Sequence, residues 1–320
     1  MAVFTEVGFD EAARLADRLG IGRLTHLQGI PSGIENTNYF VDTTEGRYVL
    51  TLFERLTAEQ LPFYLHLMKH LAAKGIPVPN PQADSHGAIL HTLCSKPAAL
   101  VDRLPGRHQL APDVVHCERV GAMLARMHAA GVDYPRFQPN LRGLAWWEET
   151  VPVVRAHLGD SQQRLIDEEL AFQRHLAASA AYAALPRGPV HADLFRDNVL
   201  FDGHELTGFF DFYFAGVDTY LFDLAVCLND WCVDLDTGRL VEERASAFVA
   251  AYDSERSLCV DERRLMPALL RAAALRFWIS RLWDFHLPRD ASLLQPHDPS
   301  HFERVLRRRL ESPWHPGIDA

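Results

Sequence analysis

The sequence predicts an α+β chain of two lobes: a small N-terminal lobe of mostly antiparallel sheet with one helix, and a larger, mostly helical C-terminal lobe. Two observations carry this expectation. β-rich runs broken by turn residues fill the first hundred positions, whereas apolar residues at helical spacing dominate from about position 113 onward. Between them "PGRHQLAPD", residues 105–113, gathers turn residues, which places the boundary between residues 1–106 and residues 107–320.

In chain order, apolar residues recur at helical spacing from Asp10 to Leu19, with Asp10 placed to cap the start and Gly20 the end. "GIPSGIENTN" is then a glycine-bearing loop between strands, and "NYFVDTTEGRYVLTLF" reads as a hairpin turning at "TTEG". A helix follows over Leu61 to Ala73. Gly75 ends it, and the prolines of "IPVPNP" forbid its continuation. "AILHTLC" and "PAALVDRL" are two further strands across the turn "SKP". In the second lobe the helical patterns fall at about 113–130, 146–158, 161–184, 219–234, 239–253, 261–285 and 298–310.

Composition restricts the function classes. With 320 residues, 48% of them hydrophobic, the chain can bury a large core. A net charge of −10 and an isoelectric point near 5.9 exclude general affinity for nucleic acid or an anionic membrane, because phosphate surfaces repel an acidic protein. Small molecules are the expected partners. The five cysteines (Cys94, Cys117, Cys227, Cys232 and Cys259) form no CxxC pair and lack the spacing of a structural zinc site, so reduced thiols are expected. The N-terminus carries acids where a signal peptide needs a basic flank, and no stretch approaches membrane-spanning length; a cytoplasmic protein is expected. The only lysines are Lys69, Lys74 and Lys96.

The chemistry concentrates in "PVHADLFRDNVLF", residues 189–201. A loop, strand, turn and second strand would carry Asp193 and Asn198 at one end of a small hairpin and Asp211 at the other. Two carboxylates and an amide suit a hard cation such as Mg²⁺, and a carboxylate can accept a hydroxyl proton during phosphoryl transfer. Any one Asp or Asn in such a loop also suits a simple turn. It is their joint order and spacing that points to chemistry.

"HADLFRDN" resembles the kinase catalytic loop H-R-D-L-x-x-x-N at His191, Asp193, Leu194 and Asn198, with Ala192 replacing the arginine. "DFY" at Asp211 to Tyr213 resembles D-F-G without its glycine. The small residue at 192, together with "FDLA" at Phe222 to Ala225, resembles the aminoglycoside and choline kinase-like phosphotransferases. The resemblance implies a bilobal protein kinase-like fold that binds ATP and Mg²⁺. By the same resemblance Asp193 would be the catalytic base, Asn198 and Asp211 the metal ligands, and Asp223 a buried brace for the loop. His191 would act in catalysis or hold the loop by hydrogen bonds. "PSGIENTNYFV" resembles the loop folded over the phosphates, which nominates Ser32, Gly33 and Asn36. The strand position where kinases carry a phosphate-binding lysine falls on Thr51. Phosphate charge would then be met by metal ions, backbone and Arg47 or Arg55, unless the chain is a nucleotide-binding regulator without catalysis.

Four stretches, "GIENTNYFVDTTEGRYVLTLFE", "PNLRGLAWW", "GFFDFYFAGVD" and "LRFWISRLWD", together resemble the bacterial homoserine kinases built on this fold, in which threonine at position 51 is expected. The implied reaction takes ATP and L-homoserine to O-phospho-L-homoserine and ADP, a step of threonine biosynthesis. Another small-alcohol phosphotransferase, acting on choline or an aminoglycoside, is the alternative. Homoserine's carboxylate needs a cation, and Arg142, Tyr213, Arg276 and Arg281 are the candidate substrate residues. On the helix "RFWISRLWDF" Arg276, Ser280 and Trp283 share one face. Phe277, Ile279, Leu282 and Trp283 equally suit a core face, with the arginines solvated.

Overall fold

A computed structural model describes residues 5–31, 36–287 and 297–317. The chain divides into two compact units, Met1–Pro105 with Gly208–Phe210, and Gly106–Thr207 with Asp211–Ala320.

The first unit opens with helix α1 (Phe9–Leu19). Its N-cap is Gly8, two residues earlier than the expected Asp10 cap. Asp10 and Glu11 instead sit in the first turn, where carboxylates oppose the positive end of the helix dipole. Gly20 closes the helix in the left-handed conformation at φ 66°, its N–H reaching the carbonyls of Ala16 and Asp17. Strands β1 (Leu24–Gly29), β2 (Asn36–Thr43) and β3 (Arg47–Phe53) precede helix α2 (Pro62–Ala73), and β4 (His91–Leu93) and β5 (Lys96–Asp102) follow it. The five strands form one antiparallel sheet ordered β1-β2-β3-β5-β4. β4 is shorter than the expected "AILHTLC" strand, pairing only over His91 to Leu93. Alternation sends Tyr39, Val41, Leu50, Leu52, Ala98 and Leu100 to one face, where Leu15 and Leu19 of α1 close a core with them.

The second unit contains β6 (Arg107–His108), α3 (Val114–Gly131), α4 (Leu144–Arg155), α5 (Asp160–Ala177), the single-turn α6 (Ala180–Ala183), β7 (Arg187–Val190), β8 (Val199–Asp202), β9 (Glu205–Phe209), β10 (Gly216–Thr219), α7 (Tyr220–Trp231), α8 (Glu242–Glu255), α9 (Val260–His286) and α10 (Ser300–Glu311). The helical run expected over 161–184 breaks at Ser179. Its extended backbone and its Oγ, which accepts the Tyr182 N–H at 3.2 Å, start a new turn instead of continuing the old one. β8 and β9 form the hairpin expected from the sequence, turning at Gly203 with φ 57°. The end of β9 belongs to the first unit, where the Phe209 N–H bonds the Pro77 carbonyl at 3.0 Å, and the chain re-enters the second unit at Asp211.

Every residue of α7 is buried, and α9 packs against α4, α5, α7 and α10. No helix among the described residues is long and apolar enough to cross a membrane. α3 lies directly on α8. At Gly121 an added Cβ would stand 2.3 Å from the Phe248 carbonyl oxygen, so glycine is what lets the two backbones approach. Gly121→Ala is therefore expected to force the helices apart at a cost of about 1–3 kcal/mol and lower the melting temperature by several degrees. An unchanged thermal melt would show that α3 and α8 are less tightly seated than this.

Candidate active site

The catalytic loop leaves β7 at Val190 and enters β8 at Val199, so both ends are fixed by sheet pairing. Its first two peptide N–H groups, from His191 and Ala192, converge on one carboxylate, that of Asp223 in the first turn of α7, at 2.8 and 2.7 Å. Successive N–H groups can point the same way because Ala192 adopts φ 62°. This geometry also explains why position 192 is small. It is 1% exposed and left-handed, a setting that tolerates Ala poorly and a long branched or charged side chain worse. His191 is fully buried, its ring 4.6 Å from that of Phe212, and its Nδ1 accepts the Asp193 N–H at 3.3 Å.

Asp223 has a third donor, Nε2 of His128 on α3, at 3.0 Å, and Tyr252 on α8 lies 2.7 Å from His128 Nδ1. Burial alone would raise the Asp223 carboxyl. The hydrogen bonds from the His128 ring and from the His191 backbone N–H outweigh it and hold the group below its ordinary value. Burial pushes His128 down, so the pair stands as carboxylate and neutral imidazole.

The far end of the loop is fastened separately. The Arg196 N–H and Nε both donate to Asp230 Oδ2 of α7, at 2.8 and 3.1 Å, and its Nη2 donates to the Asp230 carbonyl. The Leu194 carbonyl accepts Trp231 Nε1 at 3.0 Å. His128, Arg196 and Asp230 were not singled out from the sequence, because each acts through a partner distant in the chain.

Between these anchors sits Asp193, partly exposed. Its carbonyl accepts both the Phe195 N–H and the Asn198 Nδ2, each at 2.8 Å. With its nitrogen committed there, Asn198 has its amide oxygen left as the group that could meet a cation. Asp211 follows β9 at φ 68°, a conformation that Asp tolerates better than most residues, and heads the short turn Phe212–Phe214. Asp193 is pushed well above the ordinary carboxylate range, first by burial, with Asp211, Asp197 and Asp230 adding to the rise and Arg276 opposing it. A carboxyl raised by neighbouring acids suits a nearby cation. The oxygen donors of Asn198 and Asp211 fit a hard divalent ion that keeps further positions for phosphate oxygens.

The one Asp/His cluster with donors at metal-ligand separation among the described residues lies elsewhere, at Asp113, His116 and His204. There Asp113 caps α3, accepting the His116 N–H at 3.0 Å and meeting the rings of His116 and His204 at 2.6 and 2.9 Å. It is a helix cap.

The substrate candidates gather on α9 and the loop before α4. Phe277, Ile279 and Leu282 are core, yet Arg276 beside them is only 3% exposed. Its guanidinium carbon lies 3.8 Å from the Phe277 ring centroid and 5.1 Å from that of Phe214. Its Nε and Nη2 are buried without a hydrogen-bond partner. Burial lowers it to about 10, Asp193 working against that and Arg142 with it, so it stays charged at neutral pH. Arg142 stands over Trp146 at 4.4 Å and 5.8 Å from the Phe214 centroid. Tyr213 is half-buried, and Arg281 is half-buried over Phe302 at 4.5 Å.

Of the nucleotide candidates in the first unit, Ser32 and Gly33 lie outside the described residues. Asn36 begins β2 opposite Phe53. Thr51 is buried in mid-sheet and donates its hydroxyl to Asn38 Oδ1 at 2.8 Å. Two of the three lysines are engaged within the unit: Lys69 donates to the Pro81 carbonyl at 2.9 Å, and Lys96 pairs with Glu54 and with Thr5 Oγ1. Arg47 and Arg55 are exposed.

Residues 26–258 match the phosphotransferase enzyme family, and the chain is 66% identical to the homoserine kinase of Polaromonas naphthalenivorans (strain CJ2), over 98% of this chain and 99% of that protein. The chain belongs to the homoserine kinases of the phosphotransferase enzyme family. The homoserine kinase of Paraburkholderia xenovorans (strain LB400) is 56% identical over 99% of this chain and 98% of its own. Solved structures extend the likeness of fold. Amicoumacin kinase hAmiN in complex with AMP-PNP, Ca²⁺ and Ami is similar with a TM-score of 0.67 at 20% identity, over 95% of this chain and 93% of that one. Choline kinase from Cryptosporidium parvum Iowa II gives 0.64 at 15% identity, over 89% of each chain. The bilobal protein kinase-like class expected from the sequence is the class found.

One consequence of the His128–Asp223 pair is measurable. The ordinary histidine value of 6.5 is lowered in the folded protein, so the unfolded chain takes up the proton more readily below that pH. The pair's stabilisation is complete above pH about 6.5 and diminishes as pH falls toward the folded value; the Asp223 part is lost only on further acidification. His128→Gln should therefore melt well below wild type at pH 8, and the gap should narrow as the pH falls below about 6.5 in paired thermal melts. A gap independent of pH would contradict a neutral buried imidazole.

Proposed function

We propose that this homoserine kinase transfers the γ-phosphoryl group of Mg²⁺-bound ATP to the side-chain hydroxyl of L-homoserine, giving O-phospho-L-homoserine and ADP in threonine biosynthesis. The observation that carries the reading is the placement of Asp193, Asn198 and Asp211 on one loop and hairpin whose backbone is anchored at both ends by α7. Asp193, ionised in the reactive state, accepts the hydrogen of the homoserine hydroxyl. The freed oxygen forms its bond to the γ-phosphorus as the bond between that phosphorus and the β–γ bridging oxygen breaks, and ADP leaves. Asn198 and Asp211 would hold the Mg²⁺, which would offset the charge of the phosphate oxygens. A cation held there would lower the Asp193 carboxyl from its raised value and so favour the ionised base.

Asn36 and Thr51, with Ser32 and Gly33, are assigned to the nucleotide. Strand β3 offers a hydroxyl where the broader kinase pattern has an ammonium, so metal and backbone N–H groups carry the neutralisation. Five free cysteines, three of them buried, suit a reducing compartment, and we place the reaction in the cytoplasm.

The test supplies ATP and Mg²⁺ with L-homoserine, choline or an aminoglycoside separately and follows ADP release. Homoserine alone should support turnover, and Asp193→Asn should lower kcat by about 10²-fold or more with little change in the melting temperature. Turnover with another alcohol and none with homoserine would overturn the substrate assignment. A fully active Asp193→Asn would overturn the assignment of the base.

A further inference from the structure

Arg276 is a poor residue for stability. A guanidinium 3% exposed, with Nε and Nη2 buried and unpartnered, forgoes hydration without gaining hydrogen bonds in return. A second cation makes this worse: Arg142 lies 5.8 Å from the centroid of the same Phe214 ring and acts on Arg276 by repulsion. Replacing Arg276 by an apolar residue would relieve the burial of its charge. Its environment instead holds it in place, with the Phe277 and Phe214 rings against the guanidinium and the N–H edge formed by Nε and Nη2 left without a partner. Such an edge takes a planar anion with two oxygens.

Two anions could satisfy it, the carboxylate of the acceptor and the phosphoryl group in flight. The phosphoryl group already has its counter-charge assigned to the cation on Asn198 and Asp211. The acceptor's carboxylate has none. Phe195, two residues after Asp193, packs its ring 4.4 Å from that of Phe277, and Phe214 of the turn that Asp211 heads lies 5.1 Å from the Arg276 guanidinium, so the guanidinium stands beside the loop that carries the base. In homoserine the carboxylate carbon and the hydroxyl oxygen are four bonds apart, about 5 Å when extended. Resting on the homoserine kinase reading, we propose that Arg276 is the specificity-determining residue of this enzyme, receiving the α-carboxylate of the acceptor through its N–H edge while Asp193 receives the hydroxyl. Arg142 adds positive potential beside it. An amino alcohol without a carboxylate leaves the guanidinium buried and unpaired, so the site discriminates against it as well as favouring homoserine.

The test is a cycle that deletes the carboxylate from the substrate and the guanidinium from the enzyme. 3-Aminopropan-1-ol is homoserine without its carboxylate. Wild type should prefer L-homoserine by about 10³-fold or more in kcat/KM, and Arg276→Met should reduce that preference to within about tenfold, chiefly by losing activity on homoserine. Arg276→Lys, which keeps the charge without the fork, should fall between the two and melt near wild type, so the ratio remains readable if the methionine variant folds poorly. Equal losses on both substrates in either variant would overturn the proposal and move Arg276 to the phosphoryl group or to a structural role. A wild-type enzyme active on homoserine whose preference survives both substitutions would overturn it too. Wild type inert toward homoserine would instead overturn the function on which the proposal rests.

Discussion

The Asp223 carboxylate is the point on which the catalytic end of the second unit depends. It lies fully buried, accepts two consecutive backbone N–H groups of the catalytic loop and a third hydrogen bond from His128, and so joins β7, α3 and α7 at one pair of oxygens. An ionised carboxylate in such a setting is costly unless every lone pair finds a donor, and here the donors converge. The same bonds fix the left-handed backbone at Ala192, which sets the direction in which the chain presents Asp193. The geometry of the candidate site follows from a buried acid that is itself closed to solvent.

The charges around it fall into two kinds. Arg196 with Asp230, and His128 with Asp223, are closed pairs whose hydrogen bonds are made within the protein. Asp193 and Arg276 are open, the first a carboxyl raised by burial and by neighbouring acids, the second a buried guanidinium whose Nε and Nη2 lack hydrogen-bond partners. Closed pairs position the loop, and open charges mark where ligands supply what the protein does not. A folded chain carries such unsatisfied groups at the expense of stability, and the extensive core of α7 and α9 offsets them.

Legibility in the sequence follows the range of the interaction. His191, Asp193 and Asn198 can be read because they lie within one loop and their spacing is itself the signal. The strand-rich start and helical remainder can be read from periodicity. The break at Ser179 is harder, since a hydroxyl competing for one backbone N–H leaves the apolar pattern almost unchanged. So is the cap of α1, where Asp10 looks suitable and Gly8 takes the position. The pairing of His128 with Asp223 spans 95 residues and that of Arg196 with Asp230 spans 34, and no local pattern encodes either. Arg276 is the instructive case. Its place on an apolar helix face suggests a solvated arginine beside a core, and only packing shows that it is inside that core.

The measurement that tests the central claim most directly is the kinetic and thermal comparison of Asp223→Asn with wild type. An asparagine at 223 has one acceptor oxygen and sets an N–H₂ group against donors, so it cannot receive the His191 and Ala192 N–H groups and His128 together. The expected result is a melting temperature lowered by several degrees and a kcat for homoserine phosphorylation reduced at least tenfold, although residue 223 touches no substrate. Wild-type turnover in a stably folded Asp223→Asn protein would contradict the account, because Asp193 would then hold its position without the carboxylate beneath it.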